Sequence, residues 1–363
     1  MTEKRHEDAR ALRRGWTTGA CALAAARACF TALLTGRFPD PVSIRLPRGE
    51  EPSFPLVSPR QDGEYAEAGI VKDAGDDPDV THGCTVIVRM RRRTEGTGIR
   101  FRAGAGVGTI TKPGLPLRPG EPAINPAPRA MITTMLGELA AAHDTYPDVE
   151  MTFSIPGGED IARKTWNPRL GIAGGLSILG TTGIVYPYSC SAWIASIHRG
   201  IDVLRAAGTT WAGAATGSTS EAALRTLTGL DEEHMIDMGD FAGGMLKYLR
   251  AHPLPRVSIA LGFGKGSKLA CGAPDLHSAR SQVDFDQLSR WAREAGAADE
   301  TVAAIAHAHT ALEALERAGG IPLGNVVARH AATFAQDLAG PQTSVDILLF
   351  DRQGHLVGKH GRV

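Results

Sequence analysis

A chain of 363 residues is long enough for about two domains. At 43% hydrophobic and 21% charged residues, its composition is that of an ordinary soluble globular protein. Lys plus Arg and Asp plus Glu each total 39, a balance that speaks against a dedicated nucleic-acid binder, which carries a basic excess.

Residues 1–14 are polar and of mixed charge, with no apolar stretch of the kind a signal peptide needs. An alanine-rich helix is predicted over Gly19–Thr35. Thr17 and Thr18 are its cap candidates and Gly36 suits its left-handed exit. Strand-like runs follow at Val42–Leu46, Glu64–Val71 and Cys84–Met90, then a Gly- and Pro-rich loop over Ala103–Gly120 and a helix from Pro128 to Ala142. A strand at Val149–Ile155 opens the second half. Strands at Gly183–Val185, Thr209–Ala214, Met235–Met238 and Arg256–Leu261 then alternate with helices at Ser191–Ala206, Ser220–Leu227 and Phe241–Arg250. Two or three helices within Val283–Leu338 and a strand at Val345–Phe350 complete the chain. Alternation of this kind predicts an α/β unit with a parallel sheet, preceded by an α+β part; the boundary is expected between residues 147 and 148.

The five cysteines, Cys21, Cys29, Cys84, Cys190 and Cys271, are scattered and form no CxxC. They read as reduced thiols of a cytoplasmic protein, each a small core residue, with no zinc site or disulfide framework. The uncharged stretch Leu170–Ile197 carries several glycines, Pro187 and many hydroxyls, which makes it a poor membrane span.

The richest chemistry lies in Lys72-Asp73-Ala74-Gly75-Asp76-Asp77-Pro78-Asp79-Val80-Thr81-His82-Gly83. Four carboxylates in so short a loop repel one another unless a cation, a donor array or a ligand offsets them. Gly75 and Pro78 prevent a continuous helix or strand. The spacing fits neither an EF-hand nor a zinc signature, so carboxylate hydrogen bonding or acid–base work ranks above metal binding. Asp73, Asp76, Asp77 and His82 are the catalytic candidates.

Four further segments are candidate ligand contacts, each with a plainer structural reading. Thr17, Thr18 and Gly19 open a helix whose free N–H groups attract anions, or they are an ordinary cap. Lys112 sits in the Gly104–Gly114 loop, a glycine pattern that is weak on its own. Gly174, Gly175, Gly180, Thr181, Thr182 and Gly183 form a glycine-rich turn of the kind that lies beside nucleotides, or they are tight packing of small residues. Asp240 either holds a ribose diol or caps a helix. Gly262-Phe263-Gly264-Lys265-Gly266-Ser267-Lys268 misses the Walker pattern, because Gly266 follows the first lysine. Its Lys265 and Lys268, with Arg280 beyond, suit carboxylates.

Taken together, Gly15–Gly19, Lys72–Gly83, Gly106–Pro126, Gly174–Tyr188, Phe241–Arg250 and Gly262–Phe285 resemble the CbiD family of anaerobic cobalamin synthesis, in family order across most of the chain. Trp16 departs from the pattern, where a smaller aromatic such as Tyr is expected. The resemblance implies methyl transfer from S-adenosylmethionine to C-1 of the cobalt-precorrin-5B macrocycle. It also implies a two-domain fold with an S5-domain-2-like part and an α/β part, the latter binding S-adenosylmethionine. Cobalt then arrives inside the substrate and needs no protein ligand. The macrocycle's carboxylates would meet Thr17, Thr18, Gly19, Lys112, Lys265, Lys268 and Arg280. The donor would meet the Gly174–Gly183 residues and Asp240. No nucleic acid or membrane partner is expected, and the resemblance leaves room for self-association and transient contact with neighbouring pathway enzymes. Two rivals stand at this stage: a small-molecule kinase binding ATP through the aspartates, and a non-catalytic corrinoid carrier with no affinity for S-adenosylmethionine.

Overall fold

The computed structural model describes residues 12–363; the polar stretch before Leu12 lies outside them. The fold is mixed α/β. It divides into one compact unit ending at Cys190 and a second from Ser191 to Val363. The division thus falls later than the boundary expected at 147/148. The reason is the strand Val149–Ser154. It does not open the second unit but lies inside the first unit's sheet, between Thr85–Arg92 and Arg100–Ala103.

That sheet runs in the order Val57–Asp62, Tyr65–Val71, Thr85–Arg92, Val149–Ser154, Arg100–Ala103. Every neighbouring pair is antiparallel except the last. Alternation is regular: Ala66, Ala68, Ile70, Val86, Val88, Met90, Met151 and Phe153 face a core, while Glu67, Arg89 and Arg91 do not. The arginine run Arg89–Arg93 is therefore mostly strand. Arg91 reaches Glu150 at 2.8 Å, and Arg89 lies over the Tyr65 ring.

The helix Thr18–Thr35 covers the inner face and also packs on the helix Pro126–Ala142. Its residues from Thr18 to Ala26 are all buried, and a helix apolar all round belongs in a core. It is long and apolar enough to cross a membrane by length and composition, but its small side chains are what let two strands and a second helix approach it closely. Gly36 adopts φ 76° and its N–H closes the last turn on Ala32, as expected of a left-handed exit.

The second unit has a five-stranded sheet in the order Met235–Asp237, Trp211–Ala215, Arg256–Gly262, Ser344–Phe350, Leu356–His360. The first four are parallel and the last is antiparallel. In order of appearance this is 2-1-3-4-5, a doubly wound order whose direction reverses between Trp211–Ala215 and Arg256–Gly262. The central strands are apolar on both faces, as burial between helices requires. At their N-terminal ends a closed polar network ties three strands: Trp211 Nε1 donates to Ser258 Oγ at 2.9 Å, and Ser258 Oγ and Arg256 Nε each donate to Asp346 Oδ2 at 2.7 Å.

Several sequence expectations shift. The strand at Val42 is only Val42–Ser43, and Val57–Asp62, Arg100–Ala103 and Leu356–His360 are strands that were not expected. Gly262–Lys268 is not a loop: the helix Phe263–Ala270 begins directly after its strand. The 283–338 region holds four helices rather than two or three. Cys21, Cys29 and Cys84 are core residues, but Cys190 and Cys271 are exposed. Burial pushes the Cys21 thiol up to about 12, so that site is chemically inert.

Candidate functional site

The acidic loop closes on its own stem. Lys72 donates its N–H to Cys84 O and receives that of Gly83, both at 2.8 Å. The loop answers its charge problem with donors from the protein. Asp73 accepts a two-pronged bond from the Arg13 guanidinium and a third from Gly75 N at 2.9 Å. Asp76 Oδ2 accepts Arg13 N at 2.6 Å. Asp77 Oδ1 accepts Tyr188 N at 2.8 Å. Asp79 takes Lys72 Nζ at 2.7 Å on one oxygen and both donors of Thr81 on the other. Each catalytic aspartate candidate is thus already engaged in holding a neighbouring segment, Arg13 or Tyr188.

His82 differs. Its Nδ1 accepts the Ala74 N–H at 3.1 Å, so Nδ1 carries no proton and the proton of the neutral ring sits on Nε2. Asp73 Oδ1 lies 3.8 Å from the same Nδ1, but a nitrogen already accepting a bond cannot also donate, so this approach is not an ion pair. The ring is more than half exposed and Nε2 has no protein partner among the described residues.

The Arg13 guanidinium, by hydrogen bond first and then with help from Gly75 N, holds the Asp73 carboxyl at about 2. A carboxyl depressed in this way stabilises the folded state above its unfolded value of about 3.9. That contribution fades as pH falls from about 4 to about 2. The melting-temperature gap between the wild type and Asp73→Asn is therefore expected to be steady above pH 5 and to close across that window, read by acid-range scanning calorimetry. Both partners are about half exposed, so the gap will be small.

The helix start does not offer free donors. Thr17 Oγ1 accepts Ala20 N at 3.2 Å, and Gly19 N donates to Leu179 O at 2.8 Å. Thr18 Oγ1 accepts Leu179 N at 2.9 Å, and all three residues are buried. The expected anion contact at Thr17, Thr18 and Gly19 is replaced by a junction with the Gly174–Gly183 turn. That turn belongs to the first unit, apart from Asp240 with which it was grouped. A Cβ on Gly180 would lie 2.3 Å from Thr17 Oγ1, one on Gly183 2.5 Å from Leu46, and one on Gly175 2.3 Å from the Gly106 backbone. Here the packing of small residues is what the glycines serve. Gly174 and Thr181 remain exposed, and Thr182 Oγ1 accepts Ile184 N at 3.2 Å. The Gly104–Gly114 loop is also woven in, since Gly106–Val107 and Thr109–Ile110 pair with Gly175–Leu176 and Ile172–Ala173. Gly171 packs on the stem of Lys112.

In the second unit a cavity of about 600 Å³ opens at the C-terminal edge of the sheet. It is lined by Thr216–Ser220, Gly262–Lys265, Thr310–Leu312 and Phe350–Arg352, and so straddles the point where strand order reverses. Its volume lies within the usual range for small-molecule sites. Phe263 and Phe350 are buried and give it an apolar side. Lys265 Nζ sits 3.0 Å from Asp240 Oδ1, at an angle that makes an ion pair but no directed hydrogen bond, which leaves that buried oxygen with unused capacity. Asp351 accepts from Gln353 N, His355 N and His355 Nδ1; these bonds outweigh its partial burial and lower its pKa, so it is ionised at neutral pH.

Of the basic candidates Lys265 alone lines this cavity. Lys268 is buried and donates to Leu276 O at 3.1 Å, and Arg280 pairs with Asp275 at 3.3 Å on the surface. The sequence reading missed Thr216–Ser220. The signal was there: Ala-Thr-Gly-Ser-Thr-Ser follows a predicted strand and opens a helix. It also missed Arg13 and Tyr188, whose partners lie 60 and 111 residues away in the chain.

The chain was compared with known proteins. Residues 5–187 match the profile of the family described as CbiD, and residues 275–361 that of the CbiD C-terminal domain. The cobalt-precorrin-5B C(1)-methyltransferase of Paramagnetospirillum magneticum is 59% identical over 352 residues, covering 97% of this chain and 99% of the relative. The protein of the same name from Brucella anthropi is 55% identical over 361 residues, 99% of this chain and 98% of its own. That of Rhodospirillum rubrum is 54% identical, over 98% of this chain and 99% of its own. Among solved structures, the cobalamin biosynthesis protein (cbiD) from Archaeoglobus fulgidus is 26% identical, covering 69% of this chain and 77% of that one, with a TM-score of 0.39.

Proposed function

The chain belongs to the CbiD family, and we propose that it methylates C-1 of cobalt-precorrin-5B with S-adenosylmethionine, giving cobalt-precorrin-6A in anaerobic cobalamin synthesis. The observation that carries this reading is the 59% identity to a cobalt-precorrin-5B C(1)-methyltransferase over 97% of this chain and 99% of the relative.

The donor supplies an electrophilic sulfonium methyl; the rest falls to the protein. The macrocycle carbon is already electron-rich, so no protein nucleophile is required. The protein's work is to bind two ligands, align them and keep water out. A flat substrate with many carboxylates is met by backbone N–H groups and a few cations, which suits a chain of zero formal net charge. Within the acidic loop, His82 is the group we assign to proton handling. Its Nδ1 is fixed by Ala74 N and its exposed Nε2–H is available to a substrate oxygen or nitrogen. Asp73, Asp76 and Asp77 act on the site through the segments they hold.

Single-turnover reactions with S-adenosylmethionine and cobalt-precorrin-5B, followed by mass spectrometry, test the reading. The expected product is heavier by one CH₂, and His82→Gln slows its formation by about 100-fold. A wild-type protein that binds the macrocycle and never methylates it would return the carrier reading. An unslowed His82→Gln would remove the histidine from the chemistry while leaving the activity standing.

A further inference from the structure

Two glycines at the mouth of the second unit's cavity have no backbone reason to be glycine. Gly217 is extended (φ 170°, ψ 172°) and Gly262 has φ −64° and ψ 146°. Any residue adopts these conformations. A Cβ built on either meets nothing within 4 Å. Their missing side chains therefore provide room. They provide it at the ends of the two strands that flank the reversal of strand order, where doubly wound sheets hold their ligands. The contrast with Gly175, Gly180 and Gly183 is sharp, because those three are packed against other parts of the chain.

The polar groups around this room are equally specific. Thr216, Ser218 and Thr219 bring hydroxyls with no protein partner among the described residues, Lys265 brings an ammonium and Asp351 a carboxylate. One cation, one anion, several hydroxyls and an apolar wall match a zwitterionic adenosyl sulfonium. They match a bulky polycarboxylate poorly, since Asp351 would repel it. We propose that this cavity is the methyl-donor site, with Lys265 receiving the donor's carboxylate. The assignment rests on the donor named above. It moves the site from the Gly174–Gly183 turn to residues of the second unit.

The test uses full-length protein titrated calorimetrically with S-adenosylhomocysteine. Gly217→Val and Gly262→Val fill the cavity without backbone strain and are expected to weaken binding by about 100-fold at unchanged melting temperature. Lys265→Gln is expected to weaken S-adenosylhomocysteine by about 10-fold yet leave 5′-methylthioadenosine, which lacks the amino-acid end, unaffected. A purely structural lysine would not produce that selectivity. Wild-type affinity in both glycine variants overturns the location and leaves the donor reading intact. Failure of the wild type itself to bind S-adenosylhomocysteine overturns both.

Discussion

Lys72→Met is expected to destabilise the first unit by about 3 kcal/mol, a fall of roughly 6–12 °C in its melting temperature. Lys72 is among the largest fully buried side chains, at 2% exposure, and its ammonium meets Asp79 at 2.7 Å. Methionine keeps the length of the stem and removes the charge. What remains is a carboxylate folded into a place built for an ion pair, and an orphaned partner is the costly outcome. Asp79 is a quarter exposed and can recover some water, which sets the loss at the low end for a broken buried pair. Two further measurements check the cause. The double variant Lys72→Met/Asp79→Asn should recover more than half of the loss, because it leaves no orphan charge. The single variant's deficit should also shrink as pH falls through about 4. Burial alone would raise the Asp79 pKa, but in the wild type the hydrogen bonds from Lys72 and Thr81 outweigh it and the net direction is down. A depressed carboxyl stabilises the fold above its unfolded pKa and loses that contribution in acid, whereas the orphan of the single variant simply protonates. A deficit below about 1 kcal/mol would mean that water already reaches the pair.

Periodicity made much of this molecule legible in the sequence. The Ala-rich helix Thr18–Thr35 with its Gly36 exit, the two inner strands of the first sheet and the βα alternation of the second unit all announce themselves locally. What could not be read was pairing. Nothing local says that Val149–Ser154 slots between Thr85–Arg92 and Arg100–Ala103, so the boundary was drawn too early. The acidic loop was recognised as the unusual feature, but the source of its donors was not. Arg13 and Tyr188 are distant in sequence, and no spacing rule links them to Asp73, Asp76 or Asp77. The glycine motifs failed in a more instructive way. Gly180 and Gly262 look alike as letters. One is glycine because Thr17 leaves no space for a side chain; the other stands where nothing is near. Only a structure separates a glycine that lets the chain pack from one that leaves a hole.

Gly75→Ala puts that distinction to use, with an expected cost of about 4 kcal/mol against about 1 kcal/mol for Gly83→Ala in the same loop. Both glycines are left-handed, at φ 70° and 78°. Alanine therefore pays a similar conformational penalty at each, about 1 kcal/mol. At Gly83 an added Cβ meets nothing within 4 Å. At Gly75 it would stand 2.1 Å from Arg13 O, and across the same junction a Cβ on Gly15 would stand 2.0 Å from the Ala74 carbonyl carbon. These are backbone atoms with no rotamer to yield, so the two segments must part. Parting them breaks Trp16 N to Asp73 O at 2.7 Å and Asp76 N to Arg13 O at 2.9 Å, and with them the Arg13 grip on Asp73. Net losses of about 1 kcal/mol for each such bond, added to the strain, give the larger figure. Thermal denaturation measures the cost, and limited trypsin digestion locates it. Cleavage after Arg13 and Arg14 should become fast in Gly75→Ala and stay slow in Gly83→Ala, because only the first variant frees the segment. Equal costs and equal digestion in the two variants would show that the crossing of Gly15 and Gly75 yields easily, and that the acidic loop is held by Lys72 and Asp79 alone.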